Sequence, residues 1–184
     1  MFRTWRERVT HRGWMDDRPT KRPYARIERE RRFLLARLPP ALDPDDYERL
    51  DDLFVEGTHL RLRHVRRPTG EWIITKLGQK VVDPESPRDP RCRQMTTIYL
   101  PEREASALAL LSGLRTTKRR YKLPEQGWTF CVDVWESPAP ARGTILAEVE
   151  AVARRARARH GSDVGALRGY GRRSVLRDHA CGAA

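Results

Sequence analysis

Ile27-Glu28-Arg29-Glu30-Arg31-Arg32-Phe33-Leu34-Leu35 is the stretch on which the fold turns. It starts shortly after Pro23, and Pro39-Pro40 breaks the chain soon after it. With the period of two that a strand imposes, Glu28, Glu30 and Arg32 share one face. Ile27 and Phe33 share the other, with Arg29 and Arg31 between them. A strand face with two carboxylates and a guanidinium either meets solvent or lines a barrel that holds a charged ligand. Both readings are open from this stretch alone.

The same anomaly repeats downstream. Arg49 to Val55 reads as a strand, turned by Glu56-Gly57-Thr58. In His59-Leu60-Arg61-Leu62-Arg63-His64-Val65, Leu60 and Leu62 alternate with Arg61 and Arg63. After the Pro68-Thr69-Gly70 turn, a strand from Glu71 to Leu77 carries Lys76 and is expected to close at Gly78. The Pro-rich 83–94 segment reads as a loop, and Met95 to Leu100 as a short strand. Pro101-Glu102-Arg103-Glu104 opens a predicted helix, with acids suited to its first turn and an apolar stripe of Ala105, Leu108, Ala109, Leu111 and Leu114. Arg115 to Leu123 sets Lys118, Arg120 and Lys122 opposite Tyr121. Trp128 to Glu136 sets Phe130, Val132 and Val134 opposite Cys131, Asp133 and Trp135. Thr144 to Glu150 sets Ile145, Ala147 and Val149 opposite Glu148 and Glu150.

The pattern predicts an α+β, mainly β fold: an eight-stranded antiparallel closed barrel with helices packed outside. A solvated face intersperses charges of both signs, whereas here acids sit on the first and last strands and bases on the middle ones. Buried charges are tolerated when acids and bases offset each other, or when a metal and a polyanion complete the set. Carboxylates are hard oxygen ligands for Mg²⁺ or Mn²⁺, and arginine forks match phosphate oxygens.

The chain has 184 residues, 39% hydrophobic and 34% charged, with a net charge of +12 and a pI near 10.4. A basic excess attracts polyanions without choosing among them. Three separated cysteines give neither finger spacing nor a closed disulfide set, and imply a reducing compartment. No apolar run approaches the roughly 20 residues of a membrane helix. No apolar stretch follows the basic N-terminus, so the sequence reads as cytoplasmic. The expected division is a basic N-terminal tail (1–22), a tunnel domain (23–150) and a basic C-terminal helix and tail (151–184).

In this order the motifs resemble the CYTH superfamily of triphosphate tunnel metalloenzymes over about residues 24–150. The family's Glu-x-Glu-x-Lys strand is matched by Glu28-x-Glu30-x-Arg32, and its Arg-x-Arg strand by Arg61-Leu62-Arg63. Thr75-Lys76, Lys118-Arg119-Arg120-Tyr121, Asp133 and Glu148-Val149-Glu150 match the later strands. The departure is Arg32, which keeps the charge of the family's lysine but cannot act as a base.

The resemblance implies metal-dependent hydrolysis of inorganic triphosphate or a small organic triphosphate. It assigns Glu28, Glu30, Asp133, Glu148 and Glu150 to Mg²⁺ or Mn²⁺, and Arg32, Arg61, Arg63, Lys76, Lys118 and Arg120 to substrate. Glu28, Glu30 and Lys76 are the candidate catalytic residues. A CYTH-type adenylate cyclase and a non-catalytic polyanion-binding module are the alternatives. The expected partner is the small-molecule triphosphate, with weak nonspecific nucleic-acid binding allowed by the basic tails and no membrane.

Overall fold

A chain with one apolar and one charged face per strand can bury the apolar face by wrapping the sheet round the charged one. The structure, a computed structural model, describes residues 24–150, Leu167 and the strand 172–175. Its strands are β1 (Arg26–Leu35), β2 (Glu48–Val55), β3 (Leu60–Arg66), β4 (Trp72–Val82), β5 (Cys92–Leu100), β6 (Gly113–Glu125), β7 (Trp128–Ser137) and β8 (Ile145–Glu150). Helix α1 (Glu102–Leu108) lies between β5 and β6, and a ninth strand, β9 (Arg172–Val175), follows β8. The sheet runs β5-β4-β3-β2-β6-β7-β8-β1, and β1 pairs back onto β5. This is the expected closed eight-stranded antiparallel barrel. Closure removes the open edges of the sheet except along the second half of β1.

Residues paired across antiparallel strands share a face, so register identifies the lumen. Glu30 pairs with Glu150 and Arg32 with Glu148. Arg120 pairs with Asp133, Asp52 with Arg63, and Arg63 with Lys76. The charged faces therefore point inward, and the hydrophobic core lies outside the barrel wall.

One cluster joins Phe33, Leu35, Tyr121, Leu123, Phe130, Val132, Ala147 and Val149 on the outer face of β1, β6, β7 and β8. Leu38, Leu42, Tyr47 and Leu167 pack onto it. Full burial of a Phe- or Leu-sized side chain contributes about 1.5–3 kcal/mol. A second cluster joins Leu53, Leu62 and Leu100 to Ala105 of α1. Among the described residues α1 is the one α-helix, so the expected outer helices reduce there to this element. Its stripe stops short of the predicted Leu111 and Leu114. Leu110 and Leu111 are exposed, and at Gly113 the chain already pairs with Val55 of β2. A Cβ on Gly113 would lie 2.0 Å from the Phe54 carbonyl oxygen, so this entry into β6 requires glycine.

Two boundaries differ in ways that matter to the site. The fourth strand does not close at Gly78 but runs on to Val82. Gly78 makes room for Met95, whose Cε would be 2.7 Å from a Cβ there. The domain also reaches past Glu150. β9 pairs with Arg32–Leu35 of β1, along the edge whose first half pairs with β5. The expectation of a tail is thus corrected at Leu167, which is fully buried, and at β9. The predicted basic N-terminal tail and the helix at 151–159 lie outside the described residues.

Candidate functional site: the charged lumen

The predicted site residues all lie on the lumenal face: Glu28, Glu30 and Arg32 on β1, Arg61 and Arg63 on β3, Lys76 on β4, Lys118 and Arg120 on β6, Asp133 on β7, and Glu148 and Glu150 on β8. Alternation places them there, but their partners are set by barrel closure.

Asp133 is the most enclosed, with no exposed surface. Arg120 donates from Nε to its Oδ1 at 2.6 Å and from Nη2 to its Oδ2 at 2.7 Å. Lys118 donates to the same Oδ2. The other carboxylate near Arg120 is Glu148, whose Oε2 accepts from Arg120 Nη2 at 2.9 Å. Arg32 Nε lies 2.9 Å from Glu148 Oε1 and its Nη2 lies 3.1 Å from Glu30. Burial alone would push the Glu148 carboxyl up, but Arg120, Lys118, Arg32 and Lys80 hold it well below the usual carboxylate range.

The acidic side of the lumen gathers Glu28, Glu30 and Glu150. Arg26 reaches Glu28 at 2.8 Å, and Lys80 Nζ stands 2.7 Å from Glu30 and 3.6 Å from Glu28. Burial pushes the Glu150 carboxyl up; Arg26 opposes this, and Glu28 and Glu30 add to it.

The basic side has one buried acid, Asp52, gripped by Arg63 through two 2.6 Å bonds. Burial would raise the Asp52 carboxyl, but the Arg63 fork, with Arg61 and Lys118, lowers it to about 2. Because the folded pKa lies below the unfolded one, this stabilisation is complete above the unfolded value near 4 and is lost as pH falls through about 2. The parent protein is therefore expected to lose about 2 kcal/mol more than Asp52→Asn between pH 5 and pH 2. Urea denaturation at stepped pH reads that difference, and parallel curves for the two proteins would contradict it.

Arg61 and Lys76 differ from the rest. No carboxylate lies within ion-pair distance of either among the described residues, and the buried Arg61 Nε and Thr116 Oγ1 have no hydrogen-bond partner. Burial, then Arg63 and Arg120, outweigh Asp52 and Glu148 and push Arg61 down to about 10. Lys76 is likewise lowered: burial and Arg63, with Arg120 and Arg61, outweigh Glu48. The Arg61 guanidinium lies over Phe54 at 6.0 Å, and the Lys76 ammonium over Tyr99 at 5.8 Å.

A hard divalent cation needs several oxygen ligands. Glu28, Glu30, Glu148 and Glu150, on two paired strands, are ligands of that type. As they stand, no three His, Cys, Asp or Glu side chains among the described residues converge as a metal group. The Lys80 ammonium instead stands between Glu28 and Glu30, as a single positive charge shared by two carboxylates. The four carboxylates are oxygen donors in type, but each is engaged by a side-chain cation. Asp133 fits less well as a ligand, because both its oxygens are taken by Lys118 and Arg120.

Sequence reading missed Asp52 and Lys80. The period of two already placed Asp52 with Leu50 on one face of β2. Lys80 lies beyond Gly78, which reads as a strand end; continuing the alternation from Lys76 reaches it. Cys131 also faces the lumen, where burial pushes its thiol up. His64 faces outward, with Nδ1 2.9 Å from Thr75 Oγ1, which also accepts from Trp72 Nε1. Trp128 packs against the outer core, whereas Trp135 is lumenal, 5.0 Å from the Lys118 ammonium.

No protein-family model and no curated protein matches the chain. Among solved structures, the crystal structure of the hypothetical protein NE1496 is similar at 23% identity and a TM-score of 0.46, covering 84% of this chain and 93% of that one. Among the described residues, no helix is long and apolar enough to cross a membrane.

Proposed function

We propose that this chain is a divalent-metal-dependent hydrolase of a triphosphate, of the CYTH type, with the barrel lumen as its site. The observation that carries the reading is the unpartnered cation pair Arg61 and Lys76, beside Arg63, in a lumen whose other charges are matched. Leaving a guanidinium such as Arg61, whose Nε is buried, without counter-charge is costly unless an anion completes the set. A polyphosphate is such an anion, and arginine forks suit its oxygens.

In this reading Arg61, Arg63, Lys76, Lys118, Arg120 and Arg32 bind and orient the phosphates. Asp133 positions Lys118 and Arg120 through its three bonds. Glu28, Glu30, Glu148 and Glu150 would hold Mg²⁺ or Mn²⁺, which polarises a phosphoryl oxygen and makes bound water acidic. Hydrolysis adds water across a P–O–P bond of the triphosphate, releasing orthophosphate, diphosphate and a proton. Arg32 cannot serve as the base, so its role is to fix Glu30 and Glu148 and to meet substrate.

A binding module is the second reading, favoured by the pairing of the lumenal carboxylates with side-chain cations. Product analysis separates the readings. Orthophosphate from inorganic triphosphate with Mg²⁺ or Mn²⁺, abolished by chelator, is the expected result. Cyclic AMP and pyrophosphate from ATP would instead mark a cyclase, and binding without turnover a module.

Arg61 supplies its own test. A buried charge without a partner lowers stability in the free protein, as site residues often do. Arg61→Ala is expected to leave the melting temperature unchanged or raised, while weakening triphosphate binding roughly 10–100-fold, the equivalent of one lost charged contact. Calorimetric titration beside thermal unfolding measures both. A variant that binds triphosphate as tightly as the parent would remove Arg61 from the site.

A further inference from the structure

Valine and threonine have nearly the same shape and both suit a strand, so a buried threonine whose hydroxyl binds nothing is a costly choice of residue. Thr116 on β6 is such a residue. It is 1% exposed, and among the described residues its Oγ1 is buried with no hydrogen-bond partner. Two other threonines of the wall are matched. Thr75, equally buried, meets His64 Nδ1 at 2.9 Å and Trp72 Nε1 at 3.0 Å. Thr117, on the outer face, donates to Asp51 Oδ1 at 3.0 Å. Register places Thr116 opposite Asp52 of β2, hence on the lumenal face, two positions from Lys118 on its own strand. Asp52 does not take the hydroxyl; Arg63 holds both its oxygens through 2.6 Å bonds. The cations whose charge acts on Asp52 are Arg63, Arg61 and Lys118, and Arg61 Nε is likewise without a partner. Arginine and lysine only donate, so what this part of the lumen lacks is an acceptor.

We infer that Thr116 is a further substrate-binding residue of the lumen: its hydroxyl donates to an oxygen of the same phosphate chain that Arg61, Arg63 and Lys118 attract. This deepens the triphosphate reading given above and rests on it. The hydroxyl does what the cations do not. A cation attracts negative charge at a distance and from any direction, whereas a neutral hydroxyl is satisfied only by an acceptor atom at hydrogen-bond distance. The hydroxyl proton turns about its C–O bond, so it can meet an incoming oxygen without moving the strand. The cations thus draw a polyanion in, and Thr116 favours the position along β6 at which an oxygen stands before it.

The test sets affinity against stability. Inorganic triphosphate is titrated into the full chain by calorimetry, with chelator and separately with Mn²⁺, and thermal unfolding is recorded without ligand. Thr116→Val keeps the shape and removes the hydroxyl; Thr116→Ser keeps the hydroxyl. Thr116→Val is expected to bind triphosphate roughly 10-fold more weakly than the parent, the size of one hydrogen bond to a charged group. It is expected to melt at the parent's temperature or above it, because valine leaves no unmatched hydroxyl. Thr116→Ser is expected to retain the parent's affinity. Unchanged affinity in Thr116→Val overturns the inference and leaves the triphosphate reading standing; a lower melting temperature beside it would make the hydroxyl a structural group. Absence of triphosphate binding by the parent, with chelator and with Mn²⁺ alike, sinks that reading and the inference with it. A second measurement uses the parent, in case the valine variant does not fold. Its threonine methyl groups are labelled with ¹³C, and the Thr116 signal is identified by its loss in Thr116→Ser. Triphosphate is expected to shift the Thr116 signal further than that of Thr117 on the outer face; an unmoved Thr116 signal overturns the inference.

Discussion

Asp133→Ala is expected to destabilise the protein by roughly 3–5 kcal/mol, the usual effect of removing one partner from a buried charge cluster. Asp133 has no exposed surface and receives three bonds from two cations. Without it, Arg120 keeps Glu148, but Lys118 keeps no carboxylate among the described partners. Burial already lowers the pKa of Lys118, with Asp133 opposing that shift, so the variant pushes Lys118 towards the neutral amine. Asp133→Asn retains the shape and one of the two acceptor oxygens, so its loss should be smaller. Chemical denaturation of the three proteins measures the order. If the lumen takes polyphosphate, inorganic triphosphate should raise the melting temperature of Asp133→Ala at least as far as that of the parent, since ligand that binds only the folded state stabilises it. A loss below about 1 kcal/mol would mean that the cluster is relaxed by water and is not the tight lock its distances describe.

Glu28→Gln and Glu148→Gln are each expected to lower triphosphate turnover by roughly 10²–10⁴, the range for removing a group that activates the attacking water. The two residues lie on paired strands, in the part of the lumen that gathers Glu28, Glu30, Glu148 and Glu150. Each glutamine keeps the shape and one acceptor oxygen, enough for one of the two cations at its site, Arg26 or Lys80 at residue 28 and Arg32 or Arg120 at residue 148. The fold should therefore survive, with the circular dichroism spectrum unchanged. Steady-state kinetics with Mg²⁺ and with Mn²⁺ supplies the measurement. Full activity in both variants would sink the site assignment, and a loss in KM alone would move these residues from water activation to substrate binding.

Much of this was legible because a strand has an unvarying side-chain period. Glu28-x-Glu30-x-Arg32, Arg61-x-Arg63, Lys118-x-Arg120 and Glu148-x-Glu150 each declare a face regardless of what they touch. The hairpin turns were legible for the same local reason. Gln126 and Gly127 both take positive φ, as a two-residue hairpin turn of this hand requires. Elements whose limits depend on distant contacts were less legible. Gly78 looks like a breaker until Met95 is seen to occupy its missing side chain. The helical stripe beyond Leu108 looks continuous until Gly113 is drawn into β6 by β2. β9 carries no alternation that would announce it, yet it completes the edge of β1.

The order of residues was enough to settle which side chains share a face and the eight strands of the barrel wall, because both follow from local periodicity and turn chemistry. Closure of the sheet settled the rest. It made the charged face the inside, placed the core outside the wall, and brought β1 against both β5 and β8. Only then does Lys80 reach Glu30, Asp133 hold two cations, and Arg61 stand without a carboxylate. Ion pairing depends on separation across the lumen, and residues 50 positions apart or more along the chain, such as Glu30 and Lys80, leave no local trace of that distance.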